Sequence, residues 1–75
     1  MPWSTPFEQP IALRGGRKLT TLQHAADYII ELPPDVQQED GWQVAVDTLI
    51  HAAENGGGWV MFARIGMMRA LNKED

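Results

Sequence analysis

One segment, Trp59 to Leu71, constrains this chain more than any other, because it reads as a helix that is apolar on two opposite sides. A helix that covers a small core needs a single apolar stripe. At about 100° per residue, Val60, Ala63, Met67, Ala70 and Leu71 fall on one side, and Met61, Phe62, Ile65 and Met68 fall roughly opposite. The first side can face the chain's own core. The second needs another cover, and in 75 residues that cover is expected to come from a second molecule. Methionines adapt to irregular surfaces and aromatics anchor interfaces. Trp59, Met61, Phe62, Met67 and Met68 crowd into this one element. The competing account places the helix at the centre of the fold, buried all round. Gly66 lies between the stripes and would let another backbone approach closely.

Size sharpens the point. A chain this short buries only about 60% of the surface its unfolded form exposes. There is no cysteine, hence no disulfide and no thiolate metal site to compensate. Self-association would supply the missing burial. Hydrophobic residues make up 44% and charged residues 21%, which fits a globular domain. No apolar run approaches the ~18 residues of a membrane span. The opening Met1-Pro2-Trp3-Ser4-Thr5-Pro6 lacks the basic and apolar regions of a secretory signal. The expectation is a cytoplasmic protein without membrane association.

The remaining order is strand, strand, helix, helix. Residues 1–8 carry two prolines and a Ser-Thr pair and are expected to form an irregular arm, with Trp3 or Phe7 as its anchor. A single domain is expected over 9–72, with 73–75 frayed. Pro10 to Arg14 alternates, Gly15-Gly16 allows a tight turn, and Arg17 to Thr20 can return as a second strand. A two-stranded sheet is marginal alone, so the hairpin could lengthen by pairing with a second copy. Thr20 or Thr21 can cap a helix whose apolar positions are Leu22, Ala25, Ala26, Ile29 and Ile30. Pro33-Pro34 stops it near Leu32. The polar stretch Asp35–Gly41 has room for one helical turn. Asp40 is the expected cap of the next helix, with its stripe Trp42, Ala45, Val46, Leu49, Ile50 and Ala53. Asn55 and Gly56-Gly57-Gly58 end it. The predicted fold is α+β: an N-terminal antiparallel β-hairpin packed on three α-helices, ββααα.

Charge offers a second functional reading. Net charge is −4, yet the seven acidic residues between Ala25 and Ala63 have no Lys or Arg among them. The cations sit outside, at Arg14, Arg17 and Lys18 and again at Arg64, Arg69 and Lys73. If the two ends meet, they form a patch for nucleic acid or another polyanion, whatever the net charge. The simpler account is that each charge solvates its own surface.

Catalytic and metal signals are weak. His24 with Asp27 and Glu31, and His51 with Asp47 and Glu54, could each line one helix face. Imidazole and carboxylate together suit a divalent metal, but neither trio has a known ligand spacing such as HExxH. Weak charge pairs on a wetted helix are the explanation the sequence favours. The one serine is Ser4, in the arm, and nothing activates Thr5, Thr20, Thr21 or Thr48 as a nucleophile. The three glycines follow a helix rather than a strand, so they lack the phosphate-binding fingerprint. The expectation is a chain with no enzymatic activity, cofactor or metal.

Phe7-x-x-Pro10-Ile11-x-Leu13, Gly16-Arg17, Thr21-Leu22-x-x-Ala25-Ala26, Trp42-Gln43-x-Ala45 and Ala52-Ala53 together resemble a family of short bacterial proteins catalogued only as a domain of unknown function. The resemblance covers most of the chain from Phe7 onward. It implies a bacterial cytoplasmic origin and the hairpin-plus-helices fold. It brings no catalytic residues and no established activity. Two function classes therefore follow. One is a protein-interaction module, a homodimer or a binder of another protein, using Met61, Phe62, Ile65 and Met68. The other is a polyanion binder using Arg14, Arg17, Lys18, Arg64 and Arg69.

Overall fold

The computed structural model describes residues 2–74, with the side chains of Pro2, Arg14, Lys73 and Glu74 outside the described set. A 3-10 turn at Pro2–Ser4 leads into strand β1 (Pro6–Ala12). A second 3-10 turn, Arg14–Gly16, connects it to β2 (Lys18–Thr21). Helices α1 (Leu22–Ile30), α2 (Pro34–Gln37, one turn), α3 (Asp40–Asn55) and α4 (Gly58–Glu74) follow. The architecture is the expected α+β hairpin followed by three long helices, with α2 as the extra turn in the acidic connection.

The two strands are antiparallel, with Ile11 opposite Leu19, Ala12 opposite Lys18 and Pro6 opposite Thr21, and an irregularity between Pro6 and Ile11. Gly15 and Gly16 take φ of 82° and 88°, a region costly for any residue with a Cβ. The Leu13 N–H donates to the Arg17 carbonyl at 2.8 Å and closes the turn. The strand begins earlier than the sequence suggests. The expected arm at 1–8 gives up Pro6, Phe7 and Glu8 to β1, and Phe7 is buried in the core. Prolines read as irregular backbone, but an edge strand tolerates them.

Thr21 caps α1, its Oγ1 accepting from the His24 N–H at 3.2 Å. The helix ends at Ile30, two residues before Leu32. The cap position of α3 is Glu39, and Asp40, the expected cap, is instead the first helical residue. There its charge still favours the positive end of the helix. Gly56 takes φ 65° just past α3, so glycine rather than Asn55 supplies the left-handed turn. The α4 backbone is helical to Glu74, while Asp75 and the side chains of 73 and 74, where fraying was expected, lie outside the described residues.

The core joins Phe7, Ile11 and Leu19 of the hairpin to Leu22, Ala25 and Ile29 of α1, Trp42, Ala45, Leu49 and Ala52 of α3, and Ala63, Met67 and Ala70 of α4. Alanines and glycines bring α3 and α4 close. A Cβ on Gly66 would stand 3.2 Å from Thr48 Oγ1 and 3.5 Å from the Ala45 Cα. The backbone that Gly66 admits is therefore α3 of the same chain. That packing consumes one face of α4 and fixes which face is left over.

Candidate interaction surface

Packing against α3 divides α4 along the line the sequence drew. Ala63, Met67 and Ala70 are buried, and Val60 and Leu71 are half-buried against the core. Met61 is 57% exposed, Phe62 56%, Ile65 40% and Met68 39%. Eight large apolar side chains are exposed among the described residues, and five of them are on α4 once Trp59 is included. The other three, Ile30, Val44 and Ile50, lie on α1 and α3. Isolated exposed apolar residues are normal, whereas a contiguous set marks an interaction site.

Two features extend this surface beyond the helix. On one side, the His51 ring of α3 stacks on Trp59 with centroids 4.6 Å apart, and Trp59 meets Phe62 edge-on at 5.8 Å. His51 Nδ1 lies 2.8 Å from the Asp47 carbonyl oxygen, which fixes the ring under the indole. On the other side, an open groove of about 650 Å³ runs between β1 and α4, lined by Pro6, Glu8, Val60, Met61, Arg64 and Ile65 among others. Arg64 Nε spans it, donating to the Gln9 carbonyl at 3.0 Å. Neither extension was legible in the sequence, because Arg64 and Gln9 are 55 residues apart and only the tertiary fold joins them.

Both edges of the sheet carry features that hinder strand addition. Pro6 and Pro10 give β1 two positions without an N–H, and the Gln9 carbonyl is already taken by Arg64. Alternation points the Thr20 N–H away from β1, and there it donates to His24 Nδ1 at 3.2 Å. Both edges are blunted in the ways edge strands commonly are. The two prolines were a readable signal for this, since proline removes the donor that a new strand needs. The exposed large apolar side chains among the described residues all lie on helices.

The basic residues are placed differently from the gathered patch of the second sequence reading. Arg17 makes a fork to Glu31, Nη2–Oε2 2.9 Å and Nη1–Oε1 3.3 Å, with its guanidinium 5.6 Å from the Tyr28 ring centre. Lys18 lines a shallow hollow with Arg17, His24 and Asp27, so an acid shares the site. Arg64 lines the β1–α4 groove and Arg69 is exposed on α4. The Arg14 side chain lies outside the described residues. Among the described cations Arg17 and Lys18 thus share one hollow, Arg64 and Arg69 lie on α4, and Arg17 already has a carboxylate partner.

Neither histidine trio gathers. Asp27 accepts from Gln23 Nε2 at 2.8 Å, Glu31 holds Arg17, and His24 Nδ1 faces the Thr20 N–H. Among the described residues no three His, Asp or Glu side chains come within reach of one metal ion.

The Arg17 hydrogen bonds, and next its charge, hold the Glu31 carboxyl below the usual carboxylate range. A group whose pKa is lowered by folding contributes stability above its unfolded value, and that contribution is lost as pH falls through the folded value. The pair is exposed, so the effect is small and salt-sensitive. Glu31→Gln should lower Tm slightly at neutral pH and low salt. The gap should close as pH falls from the ordinary glutamate value, about 4.3, down through the lowered folded value, where the wild-type carboxylate also protonates. Thermal melts of both proteins across that range test it, and a gap that persists in acid would contradict the assignment.

Comparison with protein families, curated proteins and solved structures finds no match for this chain. Among the described residues no helix is long and apolar enough to cross a membrane.

Proposed function

We propose that the chain is a small non-enzymatic interaction module, cytoplasmic and bacterial, that self-associates as a homodimer through Met61, Phe62, Ile65 and Met68 of α4. The observation that carries this reading is the concentration of exposed large apolar side chains on α4, five of eight. These residues are not excess hydrophobic content spread at random. They continue into the Trp59–His51 stack on one side and the β1–α4 groove on the other. The blunted sheet edges direct association to the helix. A second copy is the natural cover for a chain whose own core is thin, because the folding and assembly free energies then add.

Membership in the family of short bacterial proteins belongs to the same proposal. Its supporting residues have structural places: Phe7 and Ile11 in the core, Gly16-Arg17 at the turn, Thr21 at the cap, and Trp42 and Ala45 in α3.

Native mass spectrometry of the untagged protein at low micromolar concentration tests the reading. The expected result is a species of twice the 8.4 kDa chain mass. A bare monomer up to concentrations well above that range would overturn it.

A further inference from the structure

The exposed face of α4 carries more information than its apolar character. Met61, Ile65, Met68 and Asn72 follow one another at intervals of four, three and four residues, and all four are exposed. That is the a/d spacing of a helix–helix seam, with Met61 and Met68 at d and Ile65 and Asn72 at a. Phe62 and Arg69 then occupy the e positions, and Arg64 and Leu71 the g positions.

These flanking residues distinguish the two ways a second α4 can lie on the first. In a parallel pair each seam residue meets its own copy, and g faces the e position five residues on in the partner. Arg64 would face the partner's Arg69, twice, and like charges across an interface oppose association. In an antiparallel pair e faces e and g faces g. With the two-fold axis between Ile65 and Met68, Ile65 packs on the partner's Met68 and Met61 on the partner's Asn72. Phe62 then faces the partner's Arg69, a cation over an aromatic ring, which is favourable. Arg64 faces the partner's Leu71.

We infer that the second copy lies antiparallel on α4, its Ile65–Met68 layers at the centre and a Phe62–Arg69 contact on each flank. This rests on the self-association reading above. The Trp59 edge contact holds the Phe62 ring in place before the partner arrives. The groove beside β1 lies on the Arg64 side of the seam. Neither sheet edge competes, since both are blunted.

The absence of cysteine makes the geometry directly testable, because an introduced thiol has no competitor. Met61→Cys and Asn72→Cys are prepared separately, checked by circular dichroism, and oxidised alone and as a mixture. Both positions are exposed, so neither variant disturbs the core. Positions 61 and 72 are about 16 Å apart along a helix at ~1.5 Å per residue, and a disulfide cannot bridge Cα atoms more than about 7 Å apart. Antiparallel pairing predicts a covalent dimer in the mixture and none in either variant alone. Covalent dimers in each single variant would overturn the antiparallel arrangement and leave self-association through α4 standing. A dimer by mass that forms no cross-link in any sample would overturn α4 pairing altogether. A monomer by mass would overturn the self-association reading itself.

Discussion

Trp42→Ala is expected to remove a large share of this protein's stability. Trp42 is 1% exposed on α3 and meets Tyr28 of α1 with ring centroids 5.9 Å apart, so it fills the space between those two helices. Truncating a buried Trp removes its transfer free energy and leaves a cavity that a small domain fills poorly, about 3–5 kcal/mol in all. A chain of this length has a total stability on the order of 4–11 kcal/mol. The loss is thus a large share of the whole, and Tm should fall by roughly 20 °C. Trp59, at 38% exposure, provides the control. Trp59→Ala should cost far less in a urea titration run beside it. If Trp42→Ala melted within a few degrees of wild type, the assignment of Trp42 as the keystone between α1 and α3 would be wrong.

Met61→Glu combined with Ile65→Glu is expected to give a folded monomer. Both side chains are exposed on the free chain, at 57% and 40%, and glutamate is a good helix former. Surface changes of this kind usually move stability by no more than about 0.5 kcal/mol. In a dimer the same two changes bury four carboxylates. Each buried polar group without a partner costs about 1–3 kcal/mol. Even at the lower bound this totals about 4 kcal/mol, a weakening of roughly a thousandfold in Kd. Size-exclusion chromatography with light scattering should show half the wild-type mass, and circular dichroism should show unchanged helicity. Wild-type Tm should rise with protein concentration, whereas that of the double variant should not, because only an associating protein has a concentration-dependent midpoint. An unchanged assembly would show that this face is not the interface. A variant that fails to fold would show that Met61 and Ile65 serve the core.

The reach of sequence reasoning differed between elements for identifiable reasons. Helix α1, the Thr21 cap and most of the stripe Trp42, Ala45, Val46, Leu49, Ile50 and Ala53 were legible because periodicity and capping are local properties. Ile30 and Ile50, expected on the apolar stripes, sit at their edges and are exposed. The division of α4 into a core side and an exposed side was legible for the same reason, since helical angles follow from residue spacing alone. The start of β1 was not. Pro6 and Pro10 argue against a strand unless one knows that the strand sits at an edge, and edge position is a property of the sheet. Asp40 as a cap was sound in kind but wrong in place, while Gly66 does admit another backbone, which is α3 of the same chain. A shift of one residue decided the cap.

By itself, the order of amino acids determined which segments are helical, where they stop, and that α4 has more apolar surface than one small core can cover. Hydrogen bonding and hydrophobic periodicity within a segment suffice for that. Only the tertiary structure decided that α3 is what covers the core side of α4, and that Arg17 is held by Glu31 and Arg64 by Gln9. Those outcomes depend on which distant segments meet, and the packing of close-fitting alanines and glycines, rather than any local preference, sets that encounter.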